Sequence, residues 1–175
     1  MAKEEQLADT GGSTGEKDVK KAKPTPAGTK PAQAEGELTL FDRLGGERGL
    51  TAIVEDFTQR LLQDPRVNWE RKGVTRGGFS FHRNRPVTWN PTAQNVAALK
   101  KHMVEFLALA TGGPAHYTGK EIQAAHAEMH LTNPEFDAAI GDIKASLDTL
   151  RIPDKEQQEL LAIIESTRPQ IVTER

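Results

Sequence analysis

Apolar residues recur at intervals of three and four between residues 47 and 63, which is the repeat of an amphipathic helix. Asp64-Pro65 ends this pattern, because a residue before proline disfavours the helical conformation. A shorter apolar face precedes it, beyond a break at Gly45-Gly46. We therefore expect a short helix and then a long one, with inward residues Leu40, Phe41 and Leu44 in the first and Leu50, Ile53, Val54, Phe57, Leu61 and Leu62 in the second.

Two further helical patterns flank a break at Gly112-Gly113-Pro114. The first begins at Asn90-Pro91-Thr92, a favourable helix start, and the second covers residues 120–130. Their apolar faces consist of Val96, Leu99, Met103, Phe106 and Ala110 in the first, and of Ile122, Ala125, His126 and Met129 in the second.

The C-terminal part of the chain predicts two more helices. One restarts at residues 132–135 with an acid in its first turn, and the last begins at Pro153-Asp154 and is expected to end near Arg168-Pro169. Their apolar stripes are Phe136, Ile140, Ile143, Leu147 and Leu150, and then Leu160, Leu161, Ile163 and Ile164. Five or six helices without a long strand predict an all-α domain over residues 38–175.

Residues 1–37 contain too few apolar side chains to form a core, with Leu7 and Val19 as the only large aliphatic ones. A segment of this composition cannot bury enough apolar surface to offset the entropy of ordering. We therefore expect a disordered tail. It is either a solvating linker or a segment that docks on a partner.

Cysteine is absent from the 175 residues, which excludes disulfides, thiolate metal sites, iron–sulfur clusters and cysteine nucleophiles. The formal net charge of −2 gives no overall attraction to nucleic acid or to anionic membranes. No apolar run approaches the roughly 20 residues of a membrane span, and the N-terminus lacks a secretory signal. We therefore expect a cytoplasmic protein without a membrane span.

Residues 70–91 form an irregular segment that has no helical repeat and carries an excess of positive charge. Its basic residues and the aromatic residues in or next to it are Arg71, Lys72, Arg76, Arg83 and Arg85, and Trp69, Phe79, Phe81 and Trp89. Three interpretations stay open: a loop pinned by its aromatics with its arginines in water, a surface for another protein, or a nucleic-acid contact, which is the weakest. Residues 79–81 and 87–89 are also compatible with a short strand pair.

The histidines are the strongest candidates for chemistry. His102 lies about 40° around the helix axis from Phe106, on the apolar side, and His126 has apolar neighbours on its own face. His126 and His130 have the four-residue spacing of a zinc pair, but no third ligand completes a zinc site. A heme needs only one neutral imidazole in an apolar cavity. On spacing alone, a heme site and a plain helical bundle both remain open.

Four stretches taken together resemble the truncated hemoglobins, short globins built as a two-over-two helical sandwich, and most closely their group I branch. Both glycine pairs, a Tyr-Thr-Gly turn and a histidine before a Thr-x-x-x-Phe helix start occur in the family's order. The stretches are L-F-D-R-L-G-G-E-R-G-L, I-V-E-D-F-T-Q-R-L-L-Q-D-P-R-V, M-V-E-F-L-A-L-A-T-G-G-P-A-H-Y-T-G and I-Q-A-A-H-A-E-M-H-L-T-N-P-E-F-D. The likeness covers residues 40–168 and implies a heme-binding globin with heme b as cofactor.

The resemblance implies that His126 is the proximal ligand of the heme iron. It implies a heme pocket formed by Phe57, Thr58, Leu99, Met103, Phe106, Tyr117, Ile122, Met129, Leu131, Phe136 and Ile140. Leu99 and Met103 would line its distal side, and Tyr117, Lys100 and Lys101 are candidates for contacts with the propionates.

The distal side departs from the family's pattern. Thr58 stands where a tyrosine is usual, and Met103 stands where a glutamine often occurs. The hydrogen bonds available to a bound gas are thus reduced to those of Thr58 or a water. The Thr58 hydroxyl itself is expected to bond its own helix backbone rather than to enter the pocket. Residues 70–91 form an insert before the distal helix.

His102 occupies a position where some group I members hold a second axial histidine. It is either a distal ligand or a histidine at the solvent edge near a propionate.

The resemblance implies binding of O2, NO or CO, as in oxygen transport, or redox cycling. The alternative is a heme-free globin-like subunit that joins a larger assembly through the tail and the insert. An enzyme is not implied, because nitric-oxide dioxygenation relies on a polar distal site.

Overall fold

The computed structural model describes residues 37–74, 89–113 and 116–174. These residues form the helices α1 Leu40–Arg43, α2 Gly46–Gln63, α3 Ala93–Ala110, α4 Ile122–His126, α5 Asn133–Thr149, α6 Asp154–Glu165 and α7 Arg168–Ile171, and the strands β1 Leu131–Thr132 and β2 Val172–Glu174. The predicted all-α class is confirmed. Two predicted segments lie outside the described residues. The first is the disordered tail, apart from Glu37, and the second is residues 75–88 of the insert, which include most of the possible strand pair. None of the described helices is both long and apolar enough to cross a membrane.

Threonine side chains begin three of these helices. Thr39, Thr92 and Thr132 precede α1, α3 and α5, and each hydroxyl accepts a hydrogen bond from the backbone N–H three residues on. On α1 and α5 an acid at that position accepts the threonine N–H in return, which completes a capping box. Gly45, with φ at +88°, makes the turn from α1 into α2 in a conformation that a side chain would strain.

The helices pack as two layers around α2. α2 contacts both α3 and α5, α5 packs against α6, and α1 bridges α2 and α6. The pairs α2–α3 and α5–α6 form the predicted two-over-two sandwich. Its core consists of Leu40, Leu44, Leu50, Ile53, Val54, Phe57, Leu107, Ala108, Ile143, Leu147 and Leu160.

Several helix ends differ from the prediction. α4 ends at His126 rather than at His130, which adopts a left-handed φ of +50°, and Ala125 is exposed rather than inward. Leu150 is 36% exposed because it lies beyond the last residue of α5. α6 ends at Glu165, before the predicted boundary.

The C-terminal segment folds back onto residues 127–132, which we name the α4–α5 corner. α7 contacts α4, and β2 pairs in parallel with β1, with Leu131 opposite Val172 and Thr132 opposite Glu174. The apolar pattern did not predict this pairing, because strands of two and three residues are too short to show a repeat. The end of the chain therefore supports the corner that follows α4.

Leu147 is completely buried, so the Leu147→Ala variant is expected to lose about 2–5 kcal/mol of unfolding free energy, because it removes apolar contacts and leaves a cavity. Leu150→Ala, three residues further on, is the matched control and should cost less than about 1 kcal/mol. Urea denaturation followed by far-UV circular dichroism measures both values. Equal losses in the two variants would place Leu150 in the core and contradict the structure.

Candidate functional site

His126 is the last residue of α4 and is half-buried. Its Nδ1 lies 2.7 Å from the backbone carbonyl oxygen of Ile122, one helical turn earlier. Because a carbonyl only accepts, Nδ1 carries the proton of the neutral ring and Nε2 keeps its lone pair. Burial lowers the pKa of His126 below its ordinary 6.5, and this effect outweighs the opposing one of the hydrogen bond to Ile122. At neutral pH the ring is therefore a neutral imidazole whose Nε2 has the lone pair that a metal requires.

The residues predicted to line the pocket divide into two groups by burial. Phe57 and Phe136 are 7% and 6% exposed and pack within the protein. The other apolar ones are only half-buried, namely Leu99, Met103 and Phe106 on α3, and Ile122, Met129, Leu131 and Ile140 on α4, the α4–α5 corner and α5. Apolar side chains that are partly exposed on inward helix faces are typical of a cleft that takes an apolar ligand.

These residues fit a heme. One neutral imidazole with a lone pair on Nε2 is the protein donor of a globin-type site, and half-buried apolar side chains can contact a porphyrin. A surface groove of about 300 Å³ lies between α2 and α3, and another of about 390 Å³ lies on α2 alone. Charged residues contribute to the walls of both, and neither includes His126 or His102. Within the described part of the chain, no cluster of three metal-ligating side chains supports the zinc alternative.

His102 lies against Tyr117 in an aromatic cluster at the side of α3. The two ring centroids are 6.3 Å apart with the planes at 73°, and Tyr117 makes a similar edge contact with Phe106 at 6.2 Å. The Tyr117 hydroxyl donates to the carbonyl oxygen of Lys120, and burial raises the pKa of Tyr117. Tyr117 therefore packs against His102, while the hydroxyl proton of Tyr117 is donated to Lys120 within the same turn.

Thr58 confirms the expectation for its hydroxyl. The residue is 1% exposed, and its hydroxyl donates to the carbonyl oxygen of Val54 at 2.7 Å. This is the usual bond of a threonine inside a helix. Its single proton is thus used within α2, which leaves the oxygen of Thr58 only as an acceptor.

Both lysines predicted near the propionates form ion pairs. Lys100 pairs with Glu55 on α2, and Lys101 pairs with Glu105 at 3.0 Å, one turn along α3. Glu105 also accepts from the backbone N–H and the hydroxyl of Thr118, at 2.9 and 2.8 Å. The two bonds from Thr118, together with Lys101, lower the pKa of Glu105 to about 2. Glu105 is therefore charged at neutral pH and ties the turn that contains Tyr117 to α3.

Arg71 departs from the first of the three interpretations of the insert, in which its arginines stay in water. Its side chain is 1% exposed and pairs with Glu135 of α5 at 3.0 Å. The aromatic part of that interpretation agrees with Trp69: its Nε1 donates to the carbonyl oxygen of Leu62 at 2.7 Å, and its ring packs edge-on against Trp89 at 6.1 Å. From the sequence, Glu135 was recognisable only as an acid in the first turn of a helix. Nothing there indicates that an arginine 64 residues earlier reaches it.

Comparison with known proteins points to one family. The Bacterial-like globin family model matches residues 87–173. A group 1 truncated hemoglobin of Tetrahymena thermophila is 32% identical over 130 residues, which are 74% of this chain and 91% of that protein. One from Mycolicibacterium paratuberculosis is 30% identical over 135 residues, 77% of this chain and 85% of that protein. Among solved structures, the Fe(III) form of truncated hemoglobin from Tetrahymena pyriformis gives a TM-score of 0.62 at 30% identity, with 78% of this chain and 100% of that chain covered.

The His126 tautomer can be tested in the ligand-free protein. We expect long-range 1H–15N NMR at pH 7.5 to show a neutral ring protonated on Nδ1, because that nitrogen faces the Ile122 carbonyl oxygen. His116 is exposed and serves as the control. We expect it to show the mixture of two tautomers that a solvated histidine has. A proton on Nε2 of His126 would contradict the described hydrogen bond.

Proposed function

The chain belongs to the group 1 truncated hemoglobins, a family of heme-binding globins, and on this basis we propose that it binds heme b with His126 as the proximal ligand of the iron. The observation that supports this most strongly is the 2.7 Å hydrogen bond between Nδ1 and the Ile122 carbonyl oxygen. It selects the tautomer and orients the ring, as second-shell bonds do for metal-ligating histidines. Burial favours the neutral form, which a metal ligand requires.

The surrounding side chains would hold the heme in an apolar setting. When bound, the heme supplies an iron that takes a diatomic gas or exchanges an electron. We assign the distal wall to Leu99, Met103 and Phe106, the proximal wall to Ile122, Met129, Leu131, Phe136 and Ile140, and the packing behind the heme to Phe57. By excluding water, these walls also preserve the neutral state of His126.

The distal side supports ligand binding or electron transfer rather than enzymatic turnover. The hydroxyl proton of Thr58 is used by Val54, and Lys100 and Lys101 are engaged in ion pairs. These groups therefore add little hydrogen bonding to a gas such as O2, NO or CO. Nitric-oxide dioxygenation needs a more polar distal site, so we propose reversible gas binding or redox cycling.

His102 has two roles compatible with its position, that of a sixth ligand and that of a residue at the solvent edge beside a propionate. We propose the first. The ring is half-buried on the apolar side of α3, where Phe106 and Tyr117 also lie. As a second imidazole ligand, His102 would help to hold the iron and would compete with a gas for it.

Replacement of His126 by alanine is expected to abolish tight hemin binding, because it removes the proposed protein ligand. Titration of the heme-free protein with hemin should give a sharp Soret band in the wild type and in the exposed-site control His116→Ala, but not in His126→Ala. Added imidazole should restore part of the band in His126→Ala. Wild-type protein that gives no Soret shift with hemin would refute the proposal and support the heme-free alternative.

Replacement of His102 by alanine is expected to convert the ferric spectrum from low-spin to high-spin, since six-coordination by two imidazoles favours the low-spin state. Electron paramagnetic resonance of the heme-loaded protein measures the spin state. Gln94→Ala, at an exposed position of the same helix, is the control and should stay low-spin. An unchanged spin state in His102→Ala would assign His102 to the solvent edge.

A further inference from the structure

α4 is too short to hold His126 in place by itself. It has 5 residues and none of them is buried. An isolated helix needs roughly 12–15 residues to be even marginally stable in water. The orientation of the His126 ring must therefore depend on what holds the end of α4, which leads directly into the α4–α5 corner.

Arg71 reaches this corner from the start of the insert. Its Nη2 donates to the carbonyl oxygen of His130 at 3.0 Å and to Oε2 of Glu135 at 3.2 Å. Its Nη1 donates to Oε1 of Glu135 at 3.0 Å and to the carbonyl oxygen of Asn68 at 3.3 Å. The guanidinium thus joins the turn after α2, the α4–α5 corner and the first turn of α5. We name this arrangement of Asn68, Arg71, His130 and Glu135 the Arg71 junction.

Glu135 is the rigid part of the Arg71 junction. Its carboxylate also accepts from the N–H and the hydroxyl of Thr132 at 2.9 and 3.1 Å, and from Nδ2 of Asn68 at 3.2 Å. Burial raises the pKa of Glu135, but the hydrogen bonds from Thr132, Arg71 and Asn68 outweigh it, so the pKa lies below its ordinary value. Arg71 therefore meets a charged partner that three other groups already orient.

The backbone of the Arg71 junction is in a conformation that side chains disfavour. Asn68, Arg71 and His130 have φ angles of 51°, 54° and 50°, and among the described non-glycine residues only Arg151 is also at positive φ. Residues remain in this region when their surroundings over-determine them, and such residues cluster at functional sites. The side-chain bonds of the Arg71 junction supply this constraint for the α4–α5 corner.

We propose that Arg71 is a positioning residue for His126, and that its bonds to His130 and Glu135 set the direction from which the imidazole meets the iron. This inference rests on the proposed function of His126. Few bonds separate Arg71 from His126. The carbonyl oxygen of His126 accepts from the N–H of Met129 at 2.9 Å, and the carbonyl oxygen of His130, the residue after Met129, accepts from Arg71. α7 and β2 hold the same region from the other side. Loss of Arg71 therefore tilts or loosens the ring without releasing it.

The test compares Arg71→Met and Arg71→Lys with Arg66→Met in heme-loaded protein. All variants carry His102→Ala to remove a competing sixth ligand. The ferrous iron–histidine stretching band is recorded by resonance Raman spectroscopy, and heme loss is followed by transfer to a high-affinity acceptor protein. Arg66 is a matched control, because it lies between α2 and Arg71 with its side chain 71% exposed and paired with Asp64.

Arg71→Met is expected to shift or broaden the iron–histidine band and to accelerate heme loss about tenfold or more, in the range found for lost support of metal ligands. Arg71→Lys keeps the positive charge but loses the planar guanidinium that donates to two groups at once. The band shift and the increase in heme-loss rate should therefore have the same sign as in Arg71→Met and be smaller. Arg66→Met should match the parent in both measurements.

The proposal would be overturned if both Arg71 variants had the same iron–histidine band and the same heme-loss rate as the control. If Arg71→Met does not fold, the measurements on Arg71→Lys alone decide. Failure of the underlying function is recognised separately. The parent protein must show an iron–histidine band that disappears in His126→Gly and returns with imidazole. Without that band the role of His126 fails, whereas a normal band that is insensitive to Arg71 refutes only the positioning role.

Discussion

The hydrogen bond between His126 Nδ1 and the Ile122 carbonyl oxygen is the interaction on which the site depends, because it decides which nitrogen of the ring can bind a metal. The bond is local to α4, and α4 has no buried residue of its own. The position of α4 therefore depends on the segments around it. α7 packs on α4, β2 pairs with β1 at the α4–α5 corner, and Arg71 and Glu135 are hydrogen-bonded at that corner. A local bond sets the chemistry, and contacts from distant segments set the location.

Core residues and residues of the proposed heme site lie on the same helices. The C-terminal half of α3 buries Leu107 and Ala108 in the core, whereas Leu99 and Met103, nearer its start, remain half-buried. α5 likewise buries Ile143 and Leu147 while Ile140 stays half-buried. The core is formed by residues of α1, α2, the C-terminal half of α3, α5 and α6, and it includes neither Leu99 nor Ile140.

The apolar repeat was sufficient to predict the helices that build the core, because their stripes are long and their starts have threonine caps such as Thr92 and Thr132. It also placed His126 on an apolar face without deciding its role, and the separate expectation that Thr58 bonds its own helix backbone was confirmed. It failed where structure depends on partners far away in sequence. The burial of Arg71 and the pairing of β1 with β2 both involve residues dozens of positions apart, and no local pattern encodes such pairings.

The central claim is that His126 Nε2 binds a heme iron while Nδ1 keeps its bond to Ile122. A crystal structure of the protein loaded with heme tests both parts at once. We expect Nε2 at coordination distance from the iron and Nδ1 within hydrogen-bond distance of the Ile122 carbonyl oxygen. A heme held by another residue, or a His126 ring turned so that Nδ1 faces the iron, would contradict it.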